Sequence, residues 1–533
     1  MSRLSTPEGN NMGPLSLPMS LNELLDGRHL LGGLAICLFL ILPFLHTSSY
    51  HHAVADQLPI VNRYFPFEPR FFARLRWAVF AHDILEKAYK KFDGKPYRLE
   101  RGDADYVVLP ARSITELNRL PVDTLNTRKH HSYSLLGHLT GMHVILKTNF
   151  HVKTLLGRIS PAVSEFASPM AKRMTARLSH LLPQQAGPWA LIDPVDTLVQ
   201  CVSEGLALTL FGPPICDDPE LVRLCHEHTK TVFGLAFCMR IIPSFLQPIL
   251  VWFLPAKWRL VRGWRTWDRI VIPEVRRRLQ EEDLDAAKRG DMISWMVRDA
   301  KTPVERDPHV LTHLSAAVIA GATYSTANLT SESLVDLVAH PDVMEEVRAE
   351  IREKHAEIGG RWDMAALDSL SKLESALKET SRLLPGAMFV YQRAVEKDVK
   401  LSDGLQLKRG QFITTVSQEA SIAHNAKLAP GQAPDSYDGM RFYERDLERH
   451  RARPFRGLDG DVLTWGSGRW ACPGRVVANM MIKILMVKLL DEYDFAFVNE
   501  KKPSVMRIHE FLMLNPTAKI KVRRRESRLG IEF

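Results

Sequence analysis

Trp465-Gly466-Ser467-Gly468-Arg469-Trp470-Ala471-Cys472-Pro473-Gly474-Arg475 is the stretch on which the reading of this chain turns. A single cysteine stands among glycines directly ahead of an apolar run that predicts a helix over about 473–492. Pro473 suits a first helical turn, which puts Cys472 at or beside the helix N-terminus. Free N–H groups and the helix dipole at that end favour a thiolate. Gly468 and Gly474 let the backbone approach a flat ligand closely, and Trp465 offers an aromatic face to pack against it. The plain alternative is a buried free cysteine in a glycine turn.

A lone thiolate in such a frame suits the axial bond of haem iron, where it pushes electron density onto the metal and favours O–O cleavage. The stretch resembles the haem-binding signature of the cytochrome P-450 family, Phe-x-x-Gly-x-x-x-Cys-x-Gly. It matches at Gly468, Cys472 and Gly474, with Trp465 in place of the phenylalanine. The resemblance implies that Cys472 is the iron ligand. The family usually carries Arg or His two residues before the cysteine to meet a haem propionate. Here that residue is Trp470, and Arg469 is the neighbouring charge that could compensate.

Upstream, Lys378-Glu379-Thr380-Ser381-Arg382 falls on a helical pattern with Leu370, Leu373, Leu377 and Leu384 down one face. Glu379 and Arg382 are three apart and share a side. They look like the family's Glu-x-x-Arg motif, and Asp438-Gly439-Met440-Arg441-Phe442 resembles the segment whose arginine completes that buried network. The resemblance implies that Glu379, Arg382 and Arg441 hold the cysteine loop. Arg393, in a region of strand-like alternation between 388 and 416, matches a position that contacts a propionate. Ser402-Asp403-Gly404 reads as a hairpin turn in that region.

The stretch 309–339 is long, apolar and proline-free, so a helix buried over most of its surface is expected. It carries Ala320-Gly321-Ala322-Thr323-Tyr324-Ser325-Thr326, where the family pattern is Ala/Gly-Gly-x-Asp/Glu-Thr-Thr/Ser. Without a gap, Thr323 takes the acid position and Tyr324 the threonine position; a shift of one, suggested by Ala339-His340-Pro341, puts Ser325 there. Thr323, Ser325 and Thr326 are the candidates for proton delivery.

The rest of the chain sets the frame. Residues 113–385 are overwhelmingly helical in pattern, and Tyr106-Val107-Val108-Leu109 reads as a short strand before Pro110. The expected fold is therefore mainly α with a minor β part, a single P-450-type catalytic domain over 71–533. Residues 1–28 are polar, contain Gly, Pro and Ser and lack periodicity, so a disordered N-terminal segment is expected. Leu30–Leu45 is uncharged and apolar, and Arg63, Arg70, Arg74 and Arg76 follow it, so a transmembrane anchor over 29–48 with a cytosolic body is expected, joined by a proline-punctuated linker over 49–70. The resemblance implies an endoplasmic-reticulum membrane. A secretory signal peptide is the rival reading.

Among 533 residues, 45% are hydrophobic and 25% charged, which excludes collagen-like, disordered and disulfide-scaffold classes. Lys plus Arg is 70 against 61 acidic residues, a net charge of +9 that fits a membrane surface or an acidic partner. Nucleic acid is not expected, because no basic block carries interleaved aromatics. Arg523-Arg524-Arg525 reads as a solvated tail. Cysteines 37, 201, 216, 225, 238 and 472 contain no Cys-x-x-Cys pair, and Cys225-His226-Glu227-His228 has no second cluster to complete a metal site.

The resemblance implies a monooxygenase that takes O2 and electrons from an NADPH-dependent cytochrome reductase and oxidises a hydrophobic small molecule. Leu58-Pro59, Tyr106–Pro110 and the segment from Gly137 to Gly141 look most like fungal membrane-bound members such as the ent-kaurene oxidase-like group. That likeness points to a terpenoid or polycyclic secondary metabolite as substrate. Two alternatives stay open: a haem-thiolate isomerase or dehydratase that needs no reductase, and a non-catalytic membrane haem-binding protein.

Overall fold

Helical periodicity between 113 and 385 is met by long helices. The computed structural model describes residues 58–533 apart from 66, 67, 102, 281–289, 418–434, 459 and 461. In chain order the longer helices are α1 (Arg70–Phe92), α2 (Thr127–Ser134), α3 (Val163–Leu181), α4 (Pro194–Phe211), α5 (Pro219–Ile241) and α6 (Pro255–Gln280). They continue with α7 (Met292–Asp299), α8 (Pro308–Ala339), α9 (Pro341–Glu357), α10 (Ser371–Leu383), α11 (Arg441–Glu448) and α12 (Arg475–Glu492). Local chemistry starts several of them. Asp193, Asp218, Asp291 and Asp307 each accept a backbone N–H of the turn that follows, and proline opens α4, α5 and α8.

At 32 residues, α8 is about 48 Å long at 1.5 Å per residue. It packs against α4, α5, α6, α10 and α12, which is why its sequence is apolar around most of its circumference. Buried polar groups fix its far end. Asn328 accepts the Leu514 N–H at 3.0 Å, and Asp336 accepts the Thr380 hydroxyl of α10 at 2.8 Å.

The strands are short: β1 (Tyr97–Glu100), β2 (Asp105–Val108), β3 (Leu125–Asn126), β4 (Ala190–Ile192), β5 (Phe389–Val395), β6 (Val399–Lys400), β7 (Gln406–Leu407), β8 (Phe412–Val416), β9 (Tyr493–Phe497), β10 (Val505–Ile508), β11 (Phe511–Leu514) and β12 (Ile520–Arg524). The largest sheet runs β1-β2-β8-β5-β3, with β2 and β8 parallel and the other pairs antiparallel. The expected hairpin turn lies between β6 and β7, where Gly404 has φ 90° and Leu401 donates to the Leu405 carbonyl.

Three expectations need correction or placement. Arg523-Arg524-Arg525 is no solvated tail. Arg523 and Arg524 lie in β12, which pairs with β9 and β4, and Arg524 is buried with its guanidinium on Glu492 and the Tyr493 hydroxyl, both at 2.7 Å. The described end of the 49–70 linker is bound to the sheet: Val61 donates to Arg98, and Arg63 pairs with Glu100 at 2.6 Å. The 1–28 segment and the 29–48 anchor lie outside the described residues, among which no helix is long and apolar enough to cross a membrane.

Two buried charge clusters tie these layers together. In one, Glu379 on α10 receives Arg382 through two bonds of 2.7 Å, Arg441 Nε at 3.1 Å and the Asp438 N–H at 3.0 Å. In the other, Glu510 in the β10–β11 turn receives Arg101, Arg240 of α5 and Trp77 of α1 at 2.9–3.1 Å. Burial alone would raise the Glu510 carboxyl, but Arg240 and Arg101 overcome it and hold the group well below the usual carboxylate range. Removing one member of such a cluster strands buried charge. Glu379→Ala is expected to lower stability by about 3–5 kcal/mol, read as an earlier urea midpoint by circular dichroism; an unchanged midpoint would show that the cluster does not hold the fold.

Candidate functional site

The cysteine loop is closed by its own backbone. Cys472 N–H donates to Trp465 C=O at 2.7 Å, Ala471 to Gly468 at 3.1 Å and Gly466 to Leu463 at 2.9 Å. Gly466 and Gly468 sit at φ 73° and 61°, a region that L side chains rarely adopt. At Gly468 an added Cβ would also lie 2.5 Å from the Asn118 side chain. Close approach at this glycine is therefore to Asn118. Beyond Gly474 the space where a Cβ would point is open.

Asn118 is a junction that no sequence motif marks. It donates to Ser467 Oγ at 3.1 Å, accepts the Tyr391 hydroxyl at 2.9 Å, and its backbone carbonyl accepts Arg469 at 3.0 Å. Arg469 also bonds the Leu120 carbonyl, so its guanidinium is engaged on the 118–120 turn. Trp465 is buried, donates to the Phe455 carbonyl at 2.7 Å and packs on that ring at 5.2 Å between centroids.

Cys472 lies two residues ahead of the Gly474 N-cap, since α12 begins at Arg475 and Pro473 belongs to the preceding turn. Burial pushes the Cys472 thiol up, while the Gly474 and Arg475 N–H groups and the Arg475 guanidinium pull it down. The upward push wins, so the expected helix-end stabilisation does not suffice to make a free thiolate. A bound cation would supply the missing charge, because metal ligation deprotonates a thiol.

Arg393 carries the second half of the site. It is buried, its Nε has no partner, and its one described hydrogen bond runs from Nη1 to the Gln392 carbonyl at 2.7 Å. The guanidinium lies 4.2 Å from the Tyr391 ring and 5.7 Å from Trp470. Burial without a carboxylate lowers its pKa to about 10. Tyr391 has φ 56°, and the register of β5 against β8 shifts between Val390 and Arg393, so a bulge aims this arginine at the cysteine loop. A buried guanidinium with no carboxylate partner among the described residues, close to Trp470 of the cysteine loop, fits a haem whose propionate Arg393 would neutralise and whose iron Cys472 would hold.

The hydroxyl-bearing turn of α8 divides by face. Thr323 is buried and donates to the Ile319 carbonyl at 3.0 Å, the same carbonyl that accepts Thr229 of α5. Thr326 is buried as well. Tyr324 leans toward Asp196 and Asp193, and burial with those charges raises it to about 12. Ser325 is exposed, one turn from exposed Gly321, with half-buried Val318 and Ala322 on the same side. Of the three candidates only Ser325 is exposed, and its hydroxyl donates to the Gly321 carbonyl one turn back at 2.9 Å. The Cys225 cluster does not converge: His226 bonds Asp196, while His228 accepts from Trp267.

Residues 80–522 match the family model described as Cytochrome P450. A cytochrome P450 monooxygenase of Emericella nidulans is 28% identical over 518 residues, covering 96% of this chain and 95% of that protein. A second, from Penicillium canescens, is 28% identical over 500 residues, covering 92% and 93%. An ent-kaurene oxidase of Fusarium fujikuroi is 26% identical over 476 residues, covering 89% of each. With that match spanning most of its length, the chain belongs to the cytochrome P450 family of haem-thiolate monooxygenases.

Proposed function

We propose that this enzyme is a membrane-anchored monooxygenase of fungal secondary metabolism, oxidising a hydrophobic terpenoid or polycyclic small molecule with electrons from an NADPH-dependent reductase. The observation that carries the site assignment is Arg393, a buried guanidinium without an anion, set against the Cys472 loop. Similarity to an ent-kaurene oxidase supports the substrate class. Exposed Phe72, Val79 and Phe80 on α1 and Trp252, Phe253 and Trp258 around the start of α6 support attachment to a membrane surface, consistent with an anchor over 29–48 and the endoplasmic reticulum.

When bound, haem ligated by a thiolate supplies the O2 activation. The protein's own residues do the rest. Cys472 would hold the iron, Arg393 would neutralise a propionate, and the backbone bond from Cys472 to Trp465 fixes the loop. Val318 and Ala322 offer an apolar wall that limits water, and the Ser325 hydroxyl on the same face of α8 passes a proton.

Reconstitution with NADPH and reductase is expected to place one atom of labelled O2 in the product; turnover without reductase would instead indicate an isomerase or dehydratase. Ser325→Ala is expected to lower product formed per NADPH by on the order of tenfold or more, while Thr323→Val leaves that ratio unchanged. Equal ratios in the two variants would remove Ser325 from proton delivery. Arg393→Ala is expected to weaken haem retention by about 2–5 kcal/mol, read as haem transfer to apomyoglobin, with Arg393→Lys intermediate.

A further inference from the structure

Far along α8 from the hydroxyl turn, its first turns bring two histidines and an aspartate from a neighbouring helix together. His309 and His313 are four apart and so lie on one face of α8. Asp268 reaches them from α6: His313 Nε2 is 2.8 Å from Asp268 Oδ1 and His309 Nδ1 is 3.7 Å from the same oxygen. One ligand atom from each of the three lies within 4.8 Å of the others. Nitrogen and oxygen ligands about 2.0–2.2 Å from a tetrahedral Zn2+ stand about 3.4 Å from one another. The two distances to Asp268 Oδ1, 2.8 and 3.7 Å, bracket that spacing.

The surroundings suit a ligand. The two histidines line a cavity of about 270 Å³ together with Gly141, His143, Lys147 and Trp264. Trp264 packs on the His313 imidazole at 4.4 Å between centroids and limits its rotation. His143 engages Gly137 C=O through Nδ1 at 3.0 Å, which leaves its Nε2 free to ligate or to hold a water. Lys147 opposes a cation from the same cavity and sets the affinity below that of a closed structural site.

We propose that Asp268, His309 and His313 form a binding site for a divalent zinc-class cation, which staples α6 to the N-terminal turns of α8. The site is separate from the haem site and takes no part in the reaction derived above. It leaves a fourth coordination position for water.

The test uses tag-free, EDTA-treated holoenzyme titrated with Zn2+ alone by calorimetry, beside His309→Ala and Asp268→Asn. Both positions are partly exposed, so folding is expected to survive, and an unchanged ferrous carbon monoxide spectrum confirms it. The expected result is a one-to-one event with a raised melting temperature, weakened roughly 10- to 100-fold or more in either variant. Co2+ in place of Zn2+ should give visible absorption of a tetrahedral nitrogen–oxygen site, lost in both variants. Zinc uptake of equal affinity in all three proteins, or none, would overturn the proposal and leave Asp268–His313 as an ordinary interhelical hydrogen bond.

Discussion

The carboxylate of Glu379 is shared by Arg382, Arg441 and the Asp438 N–H in a fully buried setting, and the cysteine loop depends on it at several removes. Arg441 opens α11, whose Asp446 accepts the Arg453 N–H; two residues later the Phe455 carbonyl accepts Trp465, and the Trp465 carbonyl accepts Cys472. Lys378, next to Glu379, also donates to the Arg453 carbonyl. A charge cluster on α10 thereby reaches Cys472 through side-chain bonds from Lys378, Asp446 and Trp465 to the main chain and one backbone bond, from Cys472 to Trp465. Such a cluster gains little net stability over a well-packed apolar one, but it tolerates few geometries. That intolerance suits a loop whose thiol must be held at one place.

The opposite side of the loop is fixed by a different device. Asn118 joins Ser467, Gly468, Arg469 and Tyr391, so β5 and the loop move together. The positive φ of Tyr391 and the bulge beside it set Arg393 against Trp470, at a cost in backbone strain that the surrounding contacts bear. Trp470 stands where the family usually has a charge, and Arg469 is turned to the 118–120 carbonyls. Under the proposed haem site, Arg393 is the buried guanidinium that would meet a propionate.

Much of this was legible in the sequence because it is local or motif-borne. The loop from Trp465 to Arg475, the Glu379–Arg382 spacing, Arg441, the long apolar helix and the Tyr106–Leu109 strand each announce themselves within about thirty residues. What stayed hidden joins distant segments. Asn118 and Tyr391 meet the loop across hundreds of residues, and β12 becomes a strand because β9 and β4 pair with it, which an arginine run conceals. The N–H groups of Gly474 and Arg475 do pull the Cys472 thiol down, as the helix end implied, but the burial that opposes them is not visible in the sequence. Which of Thr323, Tyr324 and Ser325 is exposed depends on the helix's packing: α5 meets the Thr323 side at the Ile319 carbonyl, while Ser325 lies on the face of Gly321 and Val318.

Ligation of haem iron by Cys472 is open to direct test in the carbon monoxide difference spectrum of the dithionite-reduced protein in membranes, recorded beside Cys472→Ala. A strongly red-shifted Soret band is expected in the wild type and absent in the variant. A band at the position of imidazole-ligated haem in both, or no haem band in folded wild-type protein, would contradict it.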